Sequence, residues 1–332
     1  MAVLVTGSAG FIGAHVSHAL VARGDQVVGV DNLNDYYDPA LKRARLERLQ
    51  ATPGFAFEHA DIADLDAITE LVRRHRDSVT SVVHLAAQAG VRHSLAKPFD
   101  YVQANLQGQM VILEVCRHEL PALRHLVYAS SSSVYGGNTK IPFSVEDPVD
   151  QPVSLYAATK RADELMSHCY SHLYRMPATG LRFFTVYGPW GRPDMAAYLF
   201  ADAIIHGRPI TLNNHGEMER DFTYIDDIVE GVIAALDRPP QGDVPHAIYN
   251  LGNHRPVTLR HFVETLEDAL GVKAQIELAP LPLGDVVRTY ADIEASRRDL
   301  GFEPKIAIEE GLPRFVAWYR EYHGLQSNFP TG

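Results

Sequence analysis

Cysteine, long apolar runs and positive charge are all scarce in this sequence of 332 residues. Only two cysteines occur, Cys116 and Cys169, and both lie in patterns typical of helices. A disulfide framework is therefore not expected. Both thiols are predicted to be buried, and a reducing cytoplasm is the predicted location.

The apolar runs are no longer than strands. Stretches such as 2–5 and 127–129 fall far short of the roughly 20 residues that a membrane-spanning helix needs. The apolar start also runs into a glycine turn without a basic leader or a cleavage site, which predicts no secretory signal. We therefore expect no membrane partner.

Acidic residues outnumber basic ones, 41 against 30, so the formal net charge is −11. This balance argues against nucleic acid or an anionic membrane as the main partner. Any anionic ligand must then be held by local groups. His168 and His172 could share a helix face, but the residues around them do not make a complete ligand set, and no metal site is predicted.

The first half of the chain alternates strand-like apolar runs with amphipathic helical stretches. This alternation is typical of a parallel sheet covered by helices on both faces. It predicts an α/β fold with a doubly wound parallel (Rossmann) sheet, whose ligand lies at the carboxyl ends of the strands. The predicted strands are 3–6, 26–31, 55–59, 81–85, 123–130 and 179–184, with helices beginning near Phe11, Leu41, Asp64, Phe99 and Leu155.

The alternation breaks after residue 184, in a segment over 188–216 that is rich in proline, glycine and asparagine. We predict a dinucleotide-binding domain over 1–185, with later segments at about 217–250 packing back on it. A smaller C-terminal lobe, mainly 186–332, is predicted to bind the substrate. The clearest predicted elements after residue 216 are helices at 226–236 and 259–270 and a surface loop at 239–245.

A glycine-rich turn, TGSAGFIG over 6–13, joins the first predicted strand to the first helix. Gly7 permits the tight turn, Gly10 lets the backbone approach a pyrophosphate, and Gly13 allows close helix packing. The helix N-terminus offers unpaired N–H groups to phosphates. Three glycines alone also fit a plain tight turn. However, Asp31 ends the second strand, where an acid binds the adenosine ribose hydroxyls.

The residues after Asp31 favour NAD over NADP. No arginine or lysine lies between Asp31 and Lys42 that could bind a 2′-phosphate. Asp61 follows the third strand and could contact the adenine amino group, although a helix N-cap role for Asp61 or Asp64 is equally open. Small residues after the fourth strand are expected to line the cofactor. The predicted NAD site also includes Phe11, Ile12, Asn32, Ile62, Leu85, Ala86 and Ala87.

Tyr156 and Lys160 lie one helical turn apart, on one face of a predicted helix. A tyrosine is a poor base at neutral pH, but a neighbouring ammonium favours its phenolate. Tyr156 could then remove a hydroxyl proton, Lys160 could hold the nicotinamide ribose, and Ser131 at the end of the fifth strand could share the proton path. The alternatives are a surface contact on the helix and a flexible polar turn.

These motifs resemble the extended short-chain dehydrogenases, which include NAD-dependent epimerases and dehydratases and combine a TGxxGFIG turn with a Ser/Thr, Tyr, Lys triad. The resemblance covers nearly the whole chain and is closest to the bacterial UDP-glucuronate 4-epimerases. It is carried by the strings DNLNDYYD (31–38), AQAGVR (87–92), SSSSVYG (130–136), RFFTVYGPWGR (182–192) and RDFTYIDD (220–227).

The resemblance also distinguishes between reactions. Dehydratases of this class resemble Thr-Asp-Glu before Val-Tyr-Gly, and decarboxylases resemble Thr-Ser-Glu, whereas this chain has serine at 131–133. The carboxylates that elimination requires are missing, so a lyase is disfavoured. Thr185 replaces the asparagine of the UDP-galactose 4-epimerase pattern, and its shorter side chain leaves room for a carboxylate.

An anionic sugar such as glucuronate must be protected from decarboxylation during the reaction. Oxidation of glucuronate at C4 gives a β-keto acid, which loses carbon dioxide when its carboxyl bond lies perpendicular to the ketone plane. The resemblance implies that Ser132, Ser133, Thr185 and Arg192 hold the carboxylate near that plane, with charge-assisted hydrogen bonds from the arginine. A solvated loop position is the alternative for Arg192.

Further arginines are predicted to bind the rest of the substrate. The resemblance places Arg220 and Arg288 at the diphosphate and Arg92 in the substrate site. Surface salt bridges are the alternative for Arg220 and Arg288. Asp226 is expected to cap the helix that follows it.

The resemblance implies interconversion of UDP-glucuronate and UDP-galacturonate through transient C4 oxidation with bound NAD, rotation of the 4-keto sugar and re-reduction. The alternatives are a 4-epimerase for UDP-glucose or its N-acetyl derivative, and a catalytically silent NAD-binding module. The segments 99–118 and 155–174 are similar to the family's dimer-forming helices, so a homodimer is expected.

Overall fold

The computed structural model describes residues 2–282 and 285–325. The strands are β1 (Ala2–Thr6), β2 (Gln26–Asp31), β3 (Phe55–His59), β4 (Val79–His84), β5 (His125–Ser131), β6 (Ala178–Phe183), β7 (Thr185–Tyr187), β8 (Ile210–Leu212), β9 (Glu219–Tyr224), β10 (His246–Leu251), β11 (Pro256–Thr258) and β12 (Ile276–Leu278). The α-helices are α1 (Phe11–Ala22), α2 (Pro39–Gln50), α3 (Leu65–His75), α4 (His93–Ala96), α5 (Pro98–Tyr101), α6 (Gly108–Glu119), α7 (Leu155–Tyr174), α8 (Ala196–Ile205), α9 (Ile225–Asp237), α10 (Leu259–Leu270), α11 (Glu294–Leu300) and α12 (Ile308–Tyr322). A π-helix, Val102–Gln107, joins α5 to α6.

Seven strands form one parallel sheet in the order β10-β6-β5-β4-β1-β2-β3. The strand order reverses between β1 and β4, as in doubly wound folds that bind ligands beyond the carboxyl ends of the strands. The predicted fold class is therefore confirmed. Two smaller sheets, β11-β9-β7 and β12-β8, come from the later part of the chain.

The central sheet is buried on both faces. Successive side chains of a strand point to opposite sides, so Val3 and Val5 of β1 join one apolar cluster while Ala2 and Leu4 join another. The first cluster continues into α10 and α12. The sheet and the C-terminal segments therefore share a core.

All six predicted strands are present, each within two residues of its predicted ends. The predicted helices at 226–236 and 259–270 are confirmed as α9 and α10, and the loop at 239–245 is confirmed as well. The pattern missed the seventh strand, β10. Four of its six residues are only part-buried, because it forms the edge of the sheet.

The segment 188–216 is more regular than its composition predicted. It contains α8 and β8. The helix buries Ala197, Ala201 and Ile204, a spacing typical of one helix face. The prolines and glycines lie at the borders of these elements and not within them, which is why composition alone gave the wrong result.

Two local predictions are corrected. Cys116 is buried, but Cys169 is exposed on α7, and both are free thiols. Asp226 does not cap α9, because β9 leads directly into the helix and Tyr224 occupies the N-cap position. Asp226 lies instead in the first helical turn, where its carboxylate is 3.9 Å from the guanidinium of Arg314.

Candidate active site

One cleft lies beyond the carboxyl ends of the sheet strands and has a volume of about 1340 Å³. A typical single-ligand site occupies only about 300–1,000 Å³, so this cleft has room for more than one ligand. Of the predicted site residues, only Arg288 is outside its lining. Those that line it are Gly7, Gly10, Phe11, Ile12, Gly13, Asp31, Asn32, Asp61, Ile62, Leu85, Ala86, Ala87, Arg92, Ser131, Ser132, Ser133, Tyr156, Lys160, Thr185, Arg192 and Arg220.

The glycine turn forms the floor at one end of the cleft. Gly7 has a φ of +72°, and a Cβ added at Gly13 would lie 2.0 Å from the Gly7 carbonyl oxygen. Both positions therefore require glycine. Gly10 is the N-cap of α1 and has no side chain to accept from the first N–H groups of that helix. These N–H groups are available to a pyrophosphate.

Asp31 is a buried carboxylate at the end of β2. It accepts hydrogen bonds from the backbone N–H groups of Ala9 (3.1 Å) and Leu33 (2.8 Å). A carboxylate has about four acceptor positions, so two remain for ribose hydroxyls. Lys42 also lines the cleft, but its ammonium donates to the carbonyl and side-chain oxygens of Asn34 at 3.0 and 2.6 Å.

The helix N-cap that the sequence left open between Asp61 and Asp64 is formed by Asp64. Asp64 is the N-cap of α3 and accepts from the N–H of Ala67 at 3.0 Å. Asp61 accepts instead from Asn32 Nδ2 at 3.1 Å and from the N–H of Ala63 at 2.9 Å. The adenine contact predicted for Asp61 stays a prediction.

Tyr156 lies in the first turn of α7, where unpaired N–H groups favour negative charge. Ser154 caps this helix by accepting from the N–H of Ala157 at 3.1 Å. Lys160 follows one turn later and is buried. Its ammonium donates to the Ala129 carbonyl and to Asp163 Oδ2, both at 3.0 Å, so the third donor of the ammonium stays free for a ligand.

Ser131, Ser132 and Ser133 follow one another along the cleft wall. The Ser131 hydroxyl donates to the Ser133 hydroxyl at 3.1 Å and accepts from the Ser133 N–H at 3.2 Å. This local bonding holds the turn after β5 in place. The turn is therefore not a loose polar loop, and it presents hydroxyl groups but no carboxylate to the cleft.

The predicted substrate arginines differ in their partners. Arg192 is part-buried and forms a bidentate ion pair with Asp194, so it is not a solvated loop residue. Arg92 is exposed and pairs with Asp285 at 2.9 Å. Arg288, outside the cleft lining, pairs with Glu219, and its predicted diphosphate contact stays a prediction.

Arg220 is the cation best placed for an anionic ligand. Its guanidinium donates to the backbone carbonyls of Glu219, Val286 and Val287 at 2.9, 2.6 and 3.1 Å. No carboxylate within the described ranges forms an ion pair with it. Burial lowers the pKa of Arg220, although Asp285 opposes that shift. The cleft therefore holds a largely buried positive charge that forms no direct ion pair within the described ranges.

A family model described as the NAD dependent epimerase/dehydratase family matches residues 3–252. This range includes the glycine turn, the serine run and the Tyr156–Lys160 pair. The chain belongs to the NAD-dependent epimerase/dehydratase family. Its cofactor is accordingly NAD, and the uncapped start of α1 and the free acceptors of Asp31 fit that dinucleotide.

Members of the family with sugar-nucleotide names are closely similar to this chain. UDP-glucuronate 4-epimerase 4 of Arabidopsis thaliana is 49% identical over 334 residues, covering 97% of this chain and 76% of that protein. UDP-glucuronic acid 4-epimerase from Bacillus cereus, in complex with UDP-glucuronic acid and NAD, has a TM-score of 0.89 and 32% identity, covering 97% and 100% of the two chains. UDP-glucose 4-epimerase from Thermotoga maritima with UDP-glucose has a TM-score of 0.86 and 29% identity, with the same coverage.

Sequence reasoning missed Asn105, a buried residue of the π-helix in this family member. Its side chain bonds both the N–H and the carbonyl of Gln88, at 2.8 and 3.1 Å, and donates to the Thr159 hydroxyl at 2.9 Å. Thr159 in turn donates to the Tyr156 carbonyl at 2.8 Å. Asn105 therefore connects the loop after β4 to the helix that carries Tyr156. A π-helix at a functional site has no signature in a single sequence.

Proposed function

We propose that this family member is a UDP-glucuronate 4-epimerase, which interconverts UDP-glucuronate and UDP-galacturonate without net redox change. The observation that carries the proposal is the composition of the cleft around Tyr156. Tyr156, Lys160, the three serines at 131–133 and Arg192 all line this one cleft. The 49% identity to a plant UDP-glucuronate 4-epimerase over nearly the whole chain supports the same substrate.

Each residue has a defined task. NAD, when bound, would supply reversible hydride chemistry at C4: a hydride would leave C4 in the oxidation and return to the opposite face of C4 in the reduction. Tyr156 removes the C4 hydroxyl proton and gives it back, and its place in the first turn of α7 favours the anion. Lys160 holds the nicotinamide ribose through its free N–H. Ser131 shares the proton path.

The cleft disfavours elimination. Loss of water from a sugar requires a positioned acid and base, and Ser132 and Ser133 supply only hydroxyl groups. The 4-keto sugar can instead turn over about its diphosphate linkage while Arg220 keeps the diphosphate bound. This rotation would present both faces of C4 in turn to the cofactor site.

The test is to incubate NAD-loaded protein with UDP-glucuronate, with no added cofactor, and to follow the anomeric protons by NMR. The proposal predicts an equilibrium mixture that contains UDP-galacturonate. No galacturonate would exclude the uronate epimerase, and turnover confined to UDP-glucose or UDP-N-acetylglucosamine would establish the neutral-sugar alternative. No turnover of any of these sugars would favour the silent NAD-binding module.

We also propose that the protein is a homodimer, built on a face formed by the segments 99–118 and 155–174. Phe99 on this face is 82% exposed, which is costly for so large an apolar side chain in a monomer. Light scattering should give twice the 36.8 kDa of one chain, and Phe99→Glu should reduce the mass to that of a monomer. A monomeric wild type would contradict the dimer. The other exposed apolar side chains on these segments are Val102, Met110, Leu165, Leu173 and Tyr174.

We also propose a cytoplasmic location and a division into two lobes. In the residues that the structure describes, no helix has the length and apolar character needed to cross a membrane. The two free thiols support a reducing cytoplasm, which cell fractionation tests. We keep the lobe boundary near residue 185, with 217–250 returning to the first lobe; limited proteolysis that cuts elsewhere first would argue against it.

A further inference from the structure

Arg192 is held along only one of its two edges. Its Nε donates to Asp194 Oδ1 at 2.9 Å and its Nη2 donates to Asp194 Oδ2 at 2.5 Å. A guanidinium carries five N–H donors in a rigid planar fork, and the edge formed by Nη1 and Nη2 can bind a second carboxylate. Across 2–282 and 285–325, Nη1 of Arg192 has no hydrogen-bond acceptor. The cleft wall therefore contains an arginine with one occupied edge and one open edge.

Asp194 is itself fixed from a second direction. The Tyr36 hydroxyl donates to Asp194 Oδ2 at 2.9 Å, and the Tyr36 ring lies 5.9 Å from the guanidinium carbon of Arg192. Burial raises the pKa of Asp194, but the charge and hydrogen bonds of Arg192 outweigh it, and the pKa is lowered on balance. Asp194 is therefore ionised at neutral pH, and the three side chains form one hydrogen-bonded cluster.

We propose that Asp194 is a positioning residue for the sugar carboxylate: it fixes the Nε edge of Arg192 so that the Nη1/Nη2 edge receives the substrate carboxylate in one orientation. The inference rests on the proposed function, because it requires a uronate in the cleft. It assigns different tasks to neighbouring residues. Arg192 supplies affinity, whereas Asp194, which is negative and opposes an anion, supplies only orientation.

Orientation matters because the oxidised substrate is a β-keto acid. If its carboxyl bond turns perpendicular to the C4 ketone, the C5–C6 bond breaks, carbon dioxide leaves, and the electron pair left at C5 takes up a proton. Re-reduction at C4 then gives a UDP-pentose. A carboxylate held by two parallel hydrogen bonds from a fixed guanidinium cannot rotate freely. An arginine that pivots would bind the same anion but would allow this rotation.

The test compares Asp194→Ala and Tyr36→Phe with Arg192→Ala in NAD-loaded protein. UDP-galacturonate and UDP-pentose are quantified, and binding of UDP-glucuronate is measured by calorimetry. Asp194→Ala should raise the pentose share about tenfold and lower kcat while affinity falls less than about threefold, because the arginine charge is retained. Tyr36→Phe should move the share in the same direction by less. Arg192→Ala should weaken UDP-glucuronate binding at least about tenfold.

A matched control is Asp25→Asn, which breaks an ion pair with Arg23 outside the cleft and should leave product share and binding unchanged. The proposal is overturned if Asp194→Ala leaves the pentose share at the wild-type value, or if it weakens binding as much as Arg192→Ala. Failure of the proposed function is a separate result, in which the wild type makes no galacturonate. Binding alone then decides: the proposal requires a large loss in Arg192→Ala and a small one in Asp194→Ala.

Discussion

At the scale of single residues, the account depends most on the hydroxyl group of Tyr156. Tyr156→Phe removes one oxygen and leaves the ring in the cleft, so we expect turnover to fall by about 10²- to 10⁴-fold, the range for loss of a general base. NAD should stay bound, as checked by the nucleotide released on denaturation. Tyr249→Phe is a suitable control, because its hydroxyl bonds Asp299 at the surface. Substantial activity in Tyr156→Phe would assign the base elsewhere.

The arginines near the diphosphate region provide a second prediction at this scale. Arg220 lines the cleft without a carboxylate partner in the described chain, whereas Arg288 is already neutralised by Glu219. Arg220→Ala should therefore raise the KM for the UDP-sugar at least about tenfold, and Arg288→Ala by less than about threefold. Steady-state kinetics measure both. An equal rise in the two variants would establish Arg288 as a diphosphate ligand after all.

At the scale of elements, a buried arginine joins the cofactor turn to the loop that carries Arg192. Arg45 on α2 donates to the carbonyls of Ala9, Trp190 and Gly191 at 2.6 to 3.2 Å and to the Tyr37 hydroxyl at 2.7 Å. One side chain thus satisfies acceptors on three segments that are distant in sequence.

Replacement of Arg45 should destabilise the fold strongly. Arg45→Met leaves buried carbonyl groups without donors, and we expect the free energy of unfolding to fall by about 3–5 kcal/mol. The exposed neighbour Arg43 is the matched control, and Arg43→Met should change it by less than about 0.5 kcal/mol. Urea titration measures both. If the two variants lose similar small amounts, α2 does not brace the loop.

Elements that have a clear local sequence pattern could be predicted. β2 and β3 match their predicted ends, because residues that favour turns precede both strands, at Gly24-Asp25 and Pro53-Gly54. β10 could not, since its place is set by pairing with β6 and not by its own part-exposed sequence. α8 was hidden by the glycines and prolines at its borders.

The site divides in the same way. The glycine turn, the Tyr156–Lys160 pair and the serine run are each contained within a few residues, so spacing alone indicates their chemistry. Tyr36 and Arg45 donate hydrogen bonds to partners 158 and 145 residues away in sequence, at Asp194 and Trp190. Periodicity and motif spacing do not reveal such contacts. They form only when the loops beyond the sheet pack against one another.

At the scale of the whole molecule, buried histidines should make the fold labile in acid. Burial lowers the pKa of His125 to about 4 and that of His84 to about 3. An unfolded histidine takes up its proton near pH 6.5, so the unfolded state binds more protons between these values and stability falls as the pH drops below about 6.5. Asp163, whose pKa burial raises to about 6, opposes this trend over part of the range.

The contribution of one histidine can be isolated. His125→Asn should cost less stability at pH 5 than at pH 8, by about 2 kcal/mol, because the wild type alone pays for keeping this ring neutral. Val127→Ala on the same strand creates a cavity but changes no titratable group. Its loss of unfolding free energy should therefore be the same at both pH values. Denaturant titrations supply the comparison. A cost for His125→Asn that does not change with pH would refute this origin of acid lability.

The central claim is that C4 of the sugar is oxidised and reduced within one cleft, with Tyr156 removing and returning the hydroxyl proton. The most direct measurement uses UDP-glucuronate deuterated at C4, converted by the NAD-loaded protein in ordinary water and analysed by mass spectrometry. We predict that the UDP-galacturonate formed retains the deuterium at C4. Loss of that deuterium to the solvent would contradict the account.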